Sequence, residues 1–160
     1  MITKEYLHTL FNYDNGKLLW KVARSNFVSV GDEAGTKHPH GYRQIHIDGK
    51  RYLRHRLVYR MFHEVMPSQI DHIDGDKTND CVENLRPADW QTNAWNSKTP
   101  KNNRSGCKNV SWHKAMNKWR VRLSANKKSF VVGYYEDLEL ADLVAHMARE
   151  KYYKQFANHK

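Results

Sequence analysis

The sequence predicts an α+β protein of two small modules, and three observations carry that reading. Hydrophobic spacing switches repeatedly between a period of two and a helical period. A polar stretch without periodicity, Thr99-Pro-Lys-Asn-Asn-Arg-Ser, interrupts it and marks a linker at 99–105. The charge balance changes at the same place: residues 1–100 hold 14 Lys/Arg against 12 Asp/Glu, whereas residues 101–160 hold 13 against 5. The expected modules are therefore residues 1–98 and 106–160.

In the first module, Thr3 is placed to cap a helix over 4–11, with Tyr6, Leu7, Leu10 and Phe11 on one side. Asp14-Asn-Gly16 is a turn signal leading into a strand over 17–22. Tyr42 to Ile47 alternates, and Asp48-Gly49 makes a hairpin turn into 51–54. Residues 55–65 place Leu57, Val58, Met61, Phe62 and Val65 at helical spacing, with Pro67 as the stop. The stretch 70–96 reads as strand, loop, strand, helix, the helix starting near Pro87, a residue favoured at a first helical position.

The second module shows strand-like runs at 109–113, 118–124 and 128–135, with turns at 115–117 and 125–127. A helix over 137–153 carries Leu138, Ala141, Val144, Ala145, Ala148 and Tyr152 in one apolar stripe. Three antiparallel strands backed by one helix form a complete small unit.

Composition narrows the functional class. No run approaches the roughly 18 apolar residues of a membrane span, and the N-terminus lacks the apolar core of a signal peptide. A cytoplasmic protein without membrane association is expected. Two cysteines, Cys81 and Cys107, cannot build a four-cysteine zinc site, so free thiols and no structural zinc are expected. The net charge of +10 points to a polyanion. Between Lys101 and Tyr135 lie nine basic residues and no acidic one, interleaved with Trp112, Trp119, Phe130 and Tyr134. A merely solvated face has no need of those aromatics.

Asp71 and His72 end a short apolar run, before a loop rich in Asp, Gly and Asn. Phosphodiester hydrolysis needs an activated water and a cation to neutralise the leaving oxygen. Carboxylate and amide oxygens suit Mg²⁺, and a neutral imidazole suits the water's proton. Adjacent residues in extended backbone point to opposite sides, so the pair serves one phosphate only if the strand end twists.

The stretch resembles the HNH nuclease motif of phage and intron-homing type, whose fold is a ββα-metal core. Asp71-His72-Ile73-Asp74-Gly75-Asp76, Glu83-Asn84-Leu85-Arg86 and Gln91-Thr92-Asn93 fill its pattern. The resemblance implies that His72 is the general base and that Asp71 and Asn93 bind one Mg²⁺ or Mn²⁺. Asn84 then braces the loop by side-chain hydrogen bonds. Phe11-x-Tyr13-Asp14-x-Gly16-x-Leu18-x-Trp20, Gly41-Tyr42 and Tyr52-x-x-His55-Arg56-Leu57-Val58 are similar to the run upstream of phage HNH cores. His55 is read either as close to the site or as a packed helix-start histidine.

Ser105-Gly106, Val110-Ser111-Trp112-His113-Lys114, Lys118-Trp119-Arg120-Val121-Arg122-Leu123 and Gly133-Tyr134-Tyr135 resemble the Apetala-type DNA-binding domain. That domain lays a three-stranded sheet in the major groove. The resemblance places DNA contacts on Trp112, Lys114, Trp119, Arg120 and Arg122. Alternation separates Trp119 from Arg120 and Arg122, so at least one tryptophan is expected in the core. Asn109 stands where the family has glycine; asparagine tolerates left-handed backbone better than most residues.

The resulting expectation is a metal-dependent endonuclease of double-stranded DNA, phage or homing type, acting as a monomer or weak dimer in the host cytoplasm. The alternatives are a DNA-binding regulator or host-interfering protein with a silent nuclease core, and an RNA-binding role for the basic sheet.

Overall fold

The computed structural model describes residues 2–159. They form two compact units, Met1–Asp89 and Trp90–Lys160, each with its own hydrophobic core.

In the first unit, helix α1 (Lys4–Leu10) is capped by Thr3, whose side chain accepts from the Tyr6 N–H. It stops one residue before the sequence suggested. Phe11 is extended and opens strand β1 (Phe11–Asp14), which pairs with β2 (Lys17–Trp20) through the Asn15-Gly16 turn. Both turn residues have positive φ, 43° and 83°, as a two-residue hairpin requires. Strands β3 (Thr36–Lys37), β4 (Arg43–Ile47) and β5 (Lys50–Leu53) form an antiparallel sheet in that order. Helix α2 (Arg54–Phe62) follows directly and buries Leu57, Val58 and Met61 against Leu7, Leu10, Phe11 and Leu18.

Two expectations are corrected here. Helix α2 ends at Phe62, well before Pro67, because His63 is extended and stacks on Tyr59 at 3.9 Å while its N–H bonds the Tyr59 carbonyl. Pro87 does not start a helix. It lies in strand β7 (Leu85–Ala88), opposite Ile70 of β6 (Gln69–His72). A two-stranded sheet is all edge, where a missing N–H costs little.

Helix α3 (Trp90–Trp95) belongs by its contacts to the second unit. Trp95 stacks on Tyr153 at 4.5 Å and donates its indole N–H to the Ser124 carbonyl. The division between units thus falls at Asp89/Trp90. Residues 99–105, read from sequence as a linker, turn tightly within the second unit, where Asn103 accepts from the Ser105 N–H and hydroxyl. Strands β8 (Val110–His113), β9 (Lys118–Ala125) and β10 (Lys128–Tyr135) form an antiparallel sheet in the order β10-β9-β8. Helix α4 (Leu138–Tyr153), capped by Asp137, lays Ala141, Ala145 and Ala148 on Val110, Val121 and Leu123. Asn109 has φ of 70°, the left-handed conformation, just before β8. Among the described residues no helix is long and apolar enough to cross a membrane.

Candidate active site

The loop between β6 and β7 is held by its own polar side chains. Asn84 accepts from the Asp74 N–H at 3.1 Å and donates to Asp74 Oδ1 at 3.0 Å and to the Asn79 carbonyl at 2.8 Å. Asp74 also accepts from the Asp76 N–H and from Asn79. Burial works against its charge, but these hydrogen bonds prevail and hold its carboxyl below the usual range. The chain therefore closes over itself between Ile73 and Asn84 largely through polar side chains, with Val82 packed on the core at its end.

That closure delivers Asp80 to His72. Asp80 is 1% exposed and takes His72 Nε2 on Oδ1 at 2.9 Å. Its other oxygen takes Arg54 Nε at 2.7 Å. Arg54, itself buried at the start of α2, reaches Glu33 at 2.6 Å and the Thr78 carbonyl at 3.3 Å. A carboxylate accepts, so Nε2 carries the imidazole hydrogen and Nδ1 keeps the basic lone pair. Arg54 thus ties the buried Asp80 carboxylate to the exposed Glu33.

Asp71 faces a different partner. Its register neighbour on β7 is Arg86, which places Nε and a terminal nitrogen on Asp71 Oδ2 at 2.8 and 2.7 Å. Tyr42 joins the two sides. Its ring lies 6.1 Å from that of His72 and 5.2 Å from that of His55, and burial, then the Asp71 charge, push its hydroxyl pKa up. Lys77 Nζ sits 4.8 Å from the centroid of the Tyr42 ring.

His55 is 5% exposed and meets His72 edge to face at 5.0 Å. Its Nδ1 is buried without a hydrogen-bond partner. Burial, and next the His72 ring, bring its pKa down to about 4, so it is neutral near neutral pH. Of the two readings of His55, the geometry places it beside the motif histidine.

The upstream hairpin forms the back wall. Tyr13 accepts the Val82 N–H at 3.0 Å. A Cβ on Gly16 would lie 2.6 Å from the Cys81 nitrogen and 2.7 Å from the Asp80 carbonyl carbon. Asp80, Arg54, Glu33 and Tyr42 received no role from sequence. Asp80 had one visible signal, its place in the second Asp/Asn pair of the motif; the Arg54 and Glu33 contacts are tertiary and leave none.

The other residues singled out lie in the second unit. Asn93 is on α3. Four of the five residues assigned to DNA contact divide between two sides of the sheet. Trp119 shares its face with core residues Val121 and Leu123, and Trp112 meets it edge to face at 5.0 Å. Arg120 and Arg122 point to the opposite face, with His113 packed on Tyr134. Lys114 is in the turn after β8.

The buried histidine–carboxylate pair lies at a strand end, behind an Asp/Asn-braced loop, within the segment that the family comparison matches. Residues 52–94 match the HNH endonuclease family model. The chain is also 38% identical over 108 residues to Protein 3.8 of Escherichia phage T7, covering 65% of this chain and 87% of that protein. The chain thus carries an HNH endonuclease family domain at residues 52–94. No solved structure matches it.

Members of this family generally use a divalent metal, and donors of a suitable kind are present. His55, His72 and Asp80 each offer one ligand atom, all within 4.8 Å of one another. In that cluster both Asp80 oxygens are already bonded, one to a buried guanidinium, and a cation on His72 would take up its basic nitrogen. Asp71 offers a buried carboxylate held by Arg86. A hard cation that prefers oxygen fits Asp71 better than the imidazole pair. Cys81 and Cys107 are free.

Proposed function

We propose that the chain is a divalent-metal-dependent endonuclease that hydrolyses phosphodiester bonds in double-stranded DNA, with His72 as general base. The observation that carries this reading is the His72–Asp80 contact: a buried carboxylate fixes Nε2 as the protonated nitrogen and so presents Nδ1 as the acceptor of a water proton. Asp71 and Asn93 are the residues assigned to Mg²⁺ or Mn²⁺. The bound cation would supply charge neutralisation at the phosphate and the departing 3′ oxygen.

The protein's own part of the reaction is positional and electrostatic. Asp80 and Arg54 keep the imidazole from rotating. His72 takes the proton of the attacking water, with the Asp80 carboxylate held against its other nitrogen. Arg86 fixes the Asp71 carboxylate in one orientation. His55, neutral and buried, shields His72 from bulk water without adding competing charge. Asn84 works on the loop alone.

The second unit, read as an Apetala-type domain, supplies affinity and preference: Arg120 and Arg122 on the open sheet face meet the duplex, and lysines add phosphate contacts. A homing or phage setting in the host cytoplasm follows from the same reading. One site cuts one strand, so a monomer nicks, leaving 5′-phosphate and 3′-hydroxyl ends.

Supercoiled plasmid carrying the gene's flanking DNA tests the proposal. Nicking by the parent in Mg²⁺, absent in EDTA and in His72→Ala, supports it. Equal nicking by His72→Ala removes the histidine from its role. A parent that shifts the DNA but leaves it intact indicates a silent core.

A further inference from the structure

The second unit carries a groove that the nuclease reading does not use. It has a volume of about 940 Å³ and is lined from α3, the 97–105 turn and the β8–β9 strands, with neither Arg120 nor Arg122 in its wall. A pocket of roughly 300–1,000 Å³ holds a drug-sized ligand, so a nucleobase with its sugar fits. Trp90, Trp112 and Trp119 line it. Trp90 is 79% exposed and Trp112 43%, so two indole faces are open to a ligand, while Trp119 backs Trp112 edge to face.

The charge around these rings has one sign. Exposed Lys98, Arg104, Lys114 and Lys127 line the groove, and among its described residues there is no Asp or Glu. The floor is fixed: Lys108 is buried and its ammonium donates to the Trp95 carbonyl at 3.1 Å, the Asn158 carbonyl at 3.0 Å and the Ser97 carbonyl. Open indoles inside an all-basic rim match unstacked bases on a phosphate backbone. A duplex keeps its base faces inside the stack and cannot offer them to Trp90 or Trp112.

We propose that this groove binds single-stranded DNA, stacking bases on Trp90 and Trp112 while Lys98, Arg104, Lys114 and Lys127 follow the phosphates. The groove takes Trp112, Lys114 and Trp119 from the set that the resemblance gave to the duplex and leaves Arg120 and Arg122 to it, and it does not depend on the cutting reaction.

The test uses the full chain in EDTA, with a fluorescein-labelled eight-nucleotide oligo-dT read by anisotropy and a labelled duplex in parallel. Trp90→Ala and Trp112→Ala are expected to weaken oligo-dT binding about tenfold each, the usual scale of one lost base–aromatic stack. Trp112→Phe, which keeps a ring and the packing on Trp119, stays within about threefold of the parent. Arg122→Ala, on the other face, leaves oligo-dT binding within about twofold and weakens the duplex. The proposal is overturned if both tryptophan-to-alanine variants bind oligo-dT like the parent, or if Arg122→Ala loses as much as they do. Tighter binding of oligo-rU than oligo-dT overturns the assignment to DNA. A parent that ignores oligo-dT but nicks plasmid sinks this groove and spares the nuclease. A parent that binds oligo-dT through the tryptophans but never nicks does the reverse.

Discussion

His72 and Asp80 meet at 2.9 Å through Nε2 and Oδ1, and neither residue is more than 5% exposed. In that environment the carboxylate decides which imidazole nitrogen carries the hydrogen. An amide at position 80 can present an N–H instead of an oxygen and reverse the tautomer. Asp80→Asn is therefore expected to lower nicking on the order of 100-fold or more, by the logic that makes an amide so damaging beside a catalytic histidine. Duplex binding in EDTA stays at the parent level, since Asp80 does not touch DNA. Loss of binding together with cutting would reassign Asp80 to folding alone.

His55 gives the protein a specific acid sensitivity. Its pKa falls from the ordinary 6.5 to about 4 in the fold. The unfolded chain accepts a proton below about pH 6.5 while the folded chain refuses it until about pH 4. Stability from this group is thus fully present above pH 6.5 and lost as pH falls toward 4, a swing on the order of 3 kcal/mol. Urea unfolding at pH 7 and pH 4 should show the parent losing about that much more than His55→Phe. Parallel losses in the two proteins would exclude His55 as the source.

Asn109 occupies left-handed backbone at φ 70°, and its Oδ1 is buried without a partner. Glycine relieves both costs and gives back part of the gain through a freer unfolded chain. Asn109→Gly is expected to raise stability by about 1 kcal/mol, whereas Asn109→Ala, which keeps the backbone penalty, gains nothing or loses. Thermal denaturation of the two variants side by side decides it; equal midpoints would contradict the conformational argument.

Lys108 ties three separate stretches of the second unit together through the carbonyls of Trp95, Ser97 and Asn158. Burial, then the Arg149 charge, lower its pKa to about 8, yet the three acceptors require its hydrogens. Lys108→Met keeps the stem and strands the carbonyls. A loss of about 3 kcal/mol is expected, read as a lower denaturation midpoint with the Trp95 fluorescence change. An unchanged midpoint would mean that water replaces the ammonium without cost.

The motif was legible because its members fall within one short stretch and the chemistry selects their types: Asp71, His72 and Asn84 are all visible there. The three-stranded sheet and α4 were equally plain, since alternation and helical spacing each run for a full element. What escaped the sequence was tertiary. Arg54 sits in a helical stripe as one more polar residue, and nothing local says that it reaches Asp80 and Glu33. Pro87 was misread because the same residue suits a first helical turn and an edge strand. Phe11 was counted with the apolar side of α1, which hid the start of β1. The two sides of the β8–β10 sheet were separable by alternation, but the groove beside Trp112 depends on α3 folding onto that unit.

Gly16 has a consequence for where the folded site begins. The family match starts at residue 52, yet the hairpin turn at Gly16 lies so close to the Asp80–Cys81 backbone that no side chain fits between them. The opening of the chain is a mould against which the proton-accepting end is cast. Cutting at the family boundary would discard that mould along with Glu33 and Tyr42. An inherited change in the first fifty residues can therefore displace Asp80 from His72 while every motif letter remains intact.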